Sequence, residues 1–137
     1  MITYNEKPFL YKELSYKIQG AVFNVRNNYG PSHKEIIYCN ALAEEFSELD
    51  IKFEREKTVR IKSLKTDKIL GFYKPDFIVE NSILLEIKAL PFTPKLAEDQ
   101  LFYYLRNTDY ELAYLINFGG EKLDIRRRIL TNDKKKI

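Results

Sequence analysis

Two apolar segments, Gly71–Val79 and Ile83–Leu90, are separated by only three residues, Glu80-Asn81-Ser82. So short a polar connection predicts an antiparallel hairpin. Its register follows from the side chains, because successive residues of a strand point to opposite faces. A three-residue turn sets Val79 against Ile83, Phe77 against Leu85 and Pro75 against Ile87, so the apolar groups of one face meet. On the other face Ile78 opposes Leu84, Asp76 opposes Glu86 and Lys74 opposes Lys88. A two-residue turn would set Asp76 against Leu85 and Pro75 against Glu86, mixing the faces. The segregated register is therefore the expected one.

That register puts two carboxylates side by side. Like charges directly opposite each other destabilise a sheet unless a cation sits between them. Two adjacent carboxylates, a carbonyl oxygen and water form a donor set that Mg²⁺ or Mn²⁺ accepts. Lys88 comes next on the same face, suited to stabilise charge on an attacked phosphoryl group or to hold an activated water. A wet strand face carrying cross-strand salt bridges is the alternative, and three letters, Asp…Glu-x-Lys, do not separate the two. Composition narrows the chemistry further. One cysteine, Cys39, excludes an internal disulfide framework and a cysteine-rich zinc site. One histidine, His33, excludes histidine metal clusters and leaves few options for Ser-His-Asp catalysis. An enzyme built on this chain works through carboxylates, Lys, Arg or Tyr. Cys39 is expected to pack, and His33 receives no role.

A length of 137 residues fits one domain over 1–137, with a core from about 9 to 130 and a basic tail at 131–137. The hydrophobic share of 45%, with ten tyrosines and nine phenylalanines, excludes a disordered chain. A first helix is expected from about Phe9 to Asn27, where Leu10, Leu14, Ile18, Ala21, Val22 and Val25 recur at helical spacing. Asn28-Tyr29-Gly30-Pro31 breaks it. A second helix should start after Ser32 and end near Leu49, with Ile36, Leu42, Phe46 and Leu49 on its apolar side. Glu35 shares a stripe with Tyr38 and Leu42, and Ser32 with Glu35 also has the spacing of a capping box.

Ile51–Lys62 reads as one strand and Leu64–Leu70 as a polar turn. Thr93 is the expected cap of a third helix, with Pro94 at its first position and its end near Arg106. Gln100 lies on it in a stripe with Leu96, Tyr103 and Tyr104, and is read either as the stripe's solvated border or as a site residue. Glu111–Phe118 is a strand covered on both faces, Gly119-Gly120 a turn, and Lys122–Leu130 a more polar last strand. The order α-α-β-β-β-α-β-β predicts an α/β fold with a central mixed sheet flanked by helices.

The net charge of +3 is uneven. From Lys122 to Ile137 stand seven basic and two acidic residues, so this end carries +5 and the remainder −2. A basic end of this kind suits nucleic acid, and equally a solvated tail beside a charged edge strand. No apolar run approaches the roughly 18 residues of a membrane span. Met1–Lys7 lacks a hydrophobic signal segment. A cytoplasmic location is the default expectation.

These residues resemble the PD-(D/E)xK nuclease superfamily and, within it, small proteins named for a GxxExxY motif. The likeness rests on Gly30-Pro31-Ser32-His33-Lys34-Glu35-Ile36-Ile37-Tyr38, Asp76-Phe77-Ile78-Val79, Leu85-Glu86-Ile87-Lys88-Ala89, Gln100–Leu105 and Leu115–Gly119, in that order from about Tyr11 to Leu130. Two positions depart from the motif: Ser32 stands at its glycine, and Arg26 where a histidine is usual. The resemblance implies a restriction-endonuclease-like core. It implies Asp76 and Glu86 as metal ligands, the Ile87 carbonyl as a third, and Lys88 as the catalytic lysine. Glu35 and Gln100 would reach the site from the second and third helices. The implied activity is Mg²⁺- or Mn²⁺-dependent hydrolysis of DNA or RNA, and a homodimer is compatible with it. Two other readings stand beside it: a non-catalytic nucleic-acid-binding module on the same fold, and a protein that works only inside a larger assembly.

Overall fold

The computed structural model describes residues 11–135. The expected helix start at Phe9 and Leu10, the Met1–Lys7 segment and Lys136 lie outside the described residues. Two helices come first, α1 (Lys12–Tyr29) and α2 (Glu35–Glu48). Five strands follow: β1 (Phe53–Arg55), β2 (Val59–Lys62), β3 (Ile69–Tyr73), β4 (Phe77–Val79) and β5 (Ile83–Lys88). Helix α3 (Lys95–Arg106) then leads to β6 (Leu112–Asn117) and β7 (Asp124–Ile129). The main sheet is mixed, in the order β1-β4-β5-β6-β7, with only β5 and β6 parallel. Strands β2 and β3 form a separate antiparallel pair.

The expected α/β architecture holds, with two strands more than the sequence suggested. The segment Ile51–Lys62 divides because Glu56 adopts a left-handed φ of 52°, which turns the chain out of β1 before β2 begins. The segment Gly71–Val79 divides at Lys74-Pro75-Asp76, where proline has no N–H to give to a ladder. Part of the expected Leu64–Leu70 turn is already strand β3.

Two cores sandwich the sheet. On one face Ile18, Val22 and Val25 of α1 and Tyr38, Leu42 and Phe46 of α2 meet Phe77, Val79, Leu85, Ile87, Tyr114 and Ile116. Ile36 and Leu49, expected on the apolar side of α2, are instead exposed. On the other face Leu101 and Leu105 of α3 and Tyr73 of β3 meet Ile78, Leu84, Ala113 and Leu115. The alternation along β5 feeds both cores at once, which fixes its register against slippage.

The loops after β5 and β6 pack backbone against backbone. A Cβ at Gly119 would stand 2.4 Å from the Ala89 carbonyl carbon. Asn117, 1% exposed, ties the two loops together. Its Nδ2 donates to the Leu90 carbonyl and to Thr93 Oγ1, and its Oδ1 accepts from the N–H groups of Leu90 and Gly119. Thr93 is therefore not the cap of α3. Pro94 occupies that position, and the Thr93 hydroxyl donates to Asp124 Oδ2 at 2.6 Å. Arg26, where the motif usually has histidine, donates to the carbonyls of Gly120 and Glu121.

Part of the C-terminal charge, on Arg126, Arg128 and Lys135, is engaged within the fold. Strand β7 is a sheet edge, as expected, and its Arg126 and Arg128 both bond Glu98 of α3, which is buried. Arg126 also bonds Asp124 at 3.0 Å. Residues 131–135 are not a solvated tail: Thr131 and Lys135 are buried, and Lys135 Nζ donates to the carbonyls of Thr108 and Tyr110. Burial lowers the Lys135 ammonium to about 8. Removing Glu98 leaves Arg128 without a carboxylate and Arg126 with Asp124 alone. Because both are more than one-third exposed, water takes up part of the loss. Glu98→Ala is expected to cost about 2 kcal/mol in chemical denaturation, below the full penalty for breaking a buried pair.

Candidate active site

Strand β5 lies in the middle of the sheet and turns Leu85 and Ile87 into the first core. Leu84 enters the second core, so Glu86 and Lys88 follow on its face, towards the end where that core gives way to solvent. The expected hairpin register is present, with Phe77 opposite Leu85, Ile78 opposite Leu84 and Val79 opposite Ile83. Glu80 and Asn81 both take left-handed φ angles to close the turn.

The ladder between β4 and β5 stops at Phe77, and Asp76 lies one residue beyond it. Lys88 gives its carbonyl to Phe118, on the β6 side. By alternation, the N–H and carbonyl of Ile87 face the β4 side, where the next residue is Pro75. Proline cannot donate, so the carbonyl of Ile87 gains no strand partner there. The N–H of Ile87 is taken by the Asp76 carboxylate instead, at 2.7 Å. One proline thus ends the ladder, turns the Asp76 side chain across to β5 and leaves a carbonyl oxygen beside it. Lys74, expected opposite Lys88, is exposed and outside the sheet.

The electrostatics tie four side chains to one place. Burial, then the charge of Asp76, pushes Glu86 up to about 7. Burial also raises Asp76, opposed by the Ile87 N–H and by Lys88. Glu35 is raised by partial burial and by Asp76, and drawn back by Lys88. Lys88 is thus the cation that all three carboxylates feel. With every group ionised the cluster is −2, an imbalance that invites one more positive charge.

Glu35 reaches this cluster because it is the first residue of α2. The capping box is absent: Lys34 holds the cap position and no side chain caps the helix. Tyr38 fixes the helix start. Its hydroxyl donates to the Gly30 carbonyl and accepts from the His33 N–H, and its ring stacks on Phe118 at 4.5 Å. Gly30 takes a φ of 70°, which glycine accommodates without strain. Cys39, one turn on from Glu35, is buried, and its thiol is pushed up to about 12 by burial and by the nearby carboxylates. Gln100 is exposed on α3, one turn before Tyr104, and its side chain makes no hydrogen bond among the described residues.

Sequence reasoning missed Tyr73. Its hydroxyl donates to Glu86 Oε1, and its ring stacks on Tyr104 at 3.6 Å. A continuous strand over 71–79 would have put Tyr73 with Phe77, away from Glu86. The break at Pro75 reverses that. Arg55, at the end of β1, is the other omission. It lies 5.5 Å from the Phe77 ring and counters the charge of Asp76.

A model of the PD-(D/E)XK nuclease superfamily matches residues 12–128. The chain belongs to this superfamily. No curated protein and no solved structure matches it. Within residues 12–128, Pro75-Asp76 and Glu86-Ile87-Lys88 spell the letters of the superfamily's name in order. In this PD-(D/E)XK protein the mixed five-stranded sheet with three helices is an α/β restriction-endonuclease-like fold. No group of three or more His, Cys, Asp and Glu side chains is arranged to hold a metal among the described residues. No described helix is long and apolar enough to cross a membrane.

Proposed function

We propose that this PD-(D/E)XK protein is a nuclease that hydrolyses phosphodiester bonds of DNA or RNA with Mg²⁺ or Mn²⁺. The observation that carries this reading is the meeting of Asp76, Glu86, Glu35 and Lys88 where Pro75 ends the ladder. Asp76, Glu86 and the Ile87 carbonyl would hold the cation. The donor set is all oxygen, which suits a hard divalent ion. When bound, the cation supplies charge neutralisation on the phosphate and an acidified water.

The protein's own groups do the rest. The Lys88 ammonium donates to a non-bridging phosphate oxygen and steadies the attacking water. Glu35 accepts a hydrogen bond from that water on the opposite side. Tyr73 holds Glu86 in one rotamer through its hydroxyl. Gln100 lines the entrance from α3. As the water oxygen bonds to phosphorus it gives one proton to Glu35, which passes it to solvent, while the ester P–O bond breaks and the departing oxygen takes a proton from solvent. Ser32-x-x-Glu35-x-x-Tyr38 supports a reading as a GxxExxY-type member, and the proposed location is cytoplasmic.

The test is cleavage of end-labelled DNA and RNA, single-stranded and duplex, with Mg²⁺, Mn²⁺ or EDTA. Products that appear with metal and vanish with EDTA are expected. Salt-sensitive binding without turnover on any of them would favour a non-catalytic module instead.

A further inference from the structure

Arg126 and Arg128 near the C-terminus are engaged by Glu98 and Asp124, and a separate group of cations lies on the β2–β3 hairpin. Between Thr58 and Lys74, the span of the β2–β3 hairpin, stand five basic residues and one acidic. Lys62 pairs with Asp109 at 3.1 Å. Among the described residues the side chains of Arg60, Lys65, Lys68 and Lys74 form no ion pair.

The hairpin has two unlike faces. Val59, Ile61 and Tyr73 pack onto the second core. Arg60 and Phe72, directly opposite each other, face away. Phe72 is 66% exposed and Leu70, two residues before it, 67%. An exposed ring among unpaired cations is chemically complementary to a strand with unstacked bases: phosphates meet the cations and a base meets the ring. A duplex keeps its bases stacked inside and offers Phe72 no partner. The location also fits. Four residue-to-residue steps of chain lead from Phe72 to Asp76, at most about 14 Å. Tyr73, between them, bonds Glu86.

We propose that the outer face of the β2–β3 hairpin binds single-stranded nucleic acid and leads it to the carboxylate site, with a base stacked on Phe72 and phosphates on Arg60 and Lys74. The inference rests on the nuclease reading only for what happens to the strand once bound.

Fluorescence anisotropy in EDTA tests it without cleavage, using labelled single-stranded DNA, single-stranded RNA and a duplex of the same sequence. Wild type binds at least one single strand more tightly than the duplex. Phe72→Ala weakens that binding about tenfold and barely changes duplex binding. The pair Arg60→Gln and Lys74→Gln lowers the slope of log affinity against log salt by about 1.4. All three side chains are exposed, so an unchanged melting temperature verifies the fold. Equal weakening on strand and duplex, or wild-type affinity in Phe72→Ala, overturns the proposal. So does a wild-type dimer that Phe72→Ala converts to monomer without affecting strand affinity, since that assigns the face to a second copy. Strand binding lost in Phe72→Ala, with no cleavage under any metal, keeps this proposal and removes the nuclease reading. Metal-dependent cleavage with normal binding by Phe72→Ala does the reverse.

Discussion

Lys88→Ala is expected to lower metal-dependent cleavage by about 10²–10³-fold, the usual loss when one positioned donor to a developing charge is removed. Glu86→Ala should lose at least as much, by a different route. Lys88 acts on the phosphate and the water, so its loss leaves the carboxylate donors in place. Glu86 is itself one of those donors. The two variants therefore separate in a second measurement, the rise in melting temperature on adding Mn²⁺. That rise follows mass action on a ligand that binds only the folded state. It should persist in Lys88→Ala and shrink in Glu86→Ala. Wild-type turnover in Lys88→Ala would remove the lysine from the chemistry, and equal Mn²⁺ shifts in both variants would remove Glu86 from the metal.

Without metal, the stability of the protein should fall as pH rises from about 5 to about 7, and Glu86→Gln should flatten that fall. Glu86 titrates at about 7 in the fold against its ordinary 4.5, because of burial and then Asp76. The folded state therefore holds this proton more tightly than the unfolded state does. Below 4.5 both states are protonated and the penalty is absent. Above 7 both are ionised and the penalty is complete, about 3 kcal/mol for a shift of this size. Asp76 is raised as well and adds in the same direction. Urea denaturation in EDTA across this range checks it. A wild-type profile that matches Glu86→Gln would show that the carboxylates do not strain one another. Mn²⁺ should oppose the fall, since a cation between the carboxylates favours their ionised forms.

The hairpin was the most legible part of the chain, because its apolar residues segregate in only one register. From that register came the juxtaposition of Asp76 and Glu86. The same segment also held what could not be read. Pro75 appears in the sequence as one more strand residue, yet its missing N–H ends the ladder. This one change moves Tyr73 to the Glu86 side, puts Lys74 outside the sheet and turns Asp76 towards Ile87. Alternation is a rule for continuous strands, and it fails at such a break.

Helix ends were the second loss. Ser32 with Glu35 and Thr93 with Pro94 both have capping patterns, but tertiary partners decided both ends. Tyr38 anchors the first by stacking on Phe118 and bonding Gly30. Asn117 and Asp124 take the Thr93 hydroxyl at the second. The basic C-terminus misled for a related reason. Charge counted along the chain does not register that Glu98, some thirty residues earlier, meets Arg126 and Arg128 across α3 and β7. Arg60, Lys65 and Lys68, which form no ion pair among the described residues, sit on a hairpin that the linear sequence presented as a strand and a turn.

In the proposed site Asp76, Glu86 and the Ile87 carbonyl converge on one divalent ion. The most direct measurement is an anomalous difference map from crystals soaked in Mn²⁺. A peak is expected about 2.1 Å from an oxygen of each of the three residues, the coordination distance of a small hard divalent cation. A saturating soak that leaves this position empty, or a peak bound only by other residues, would contradict it.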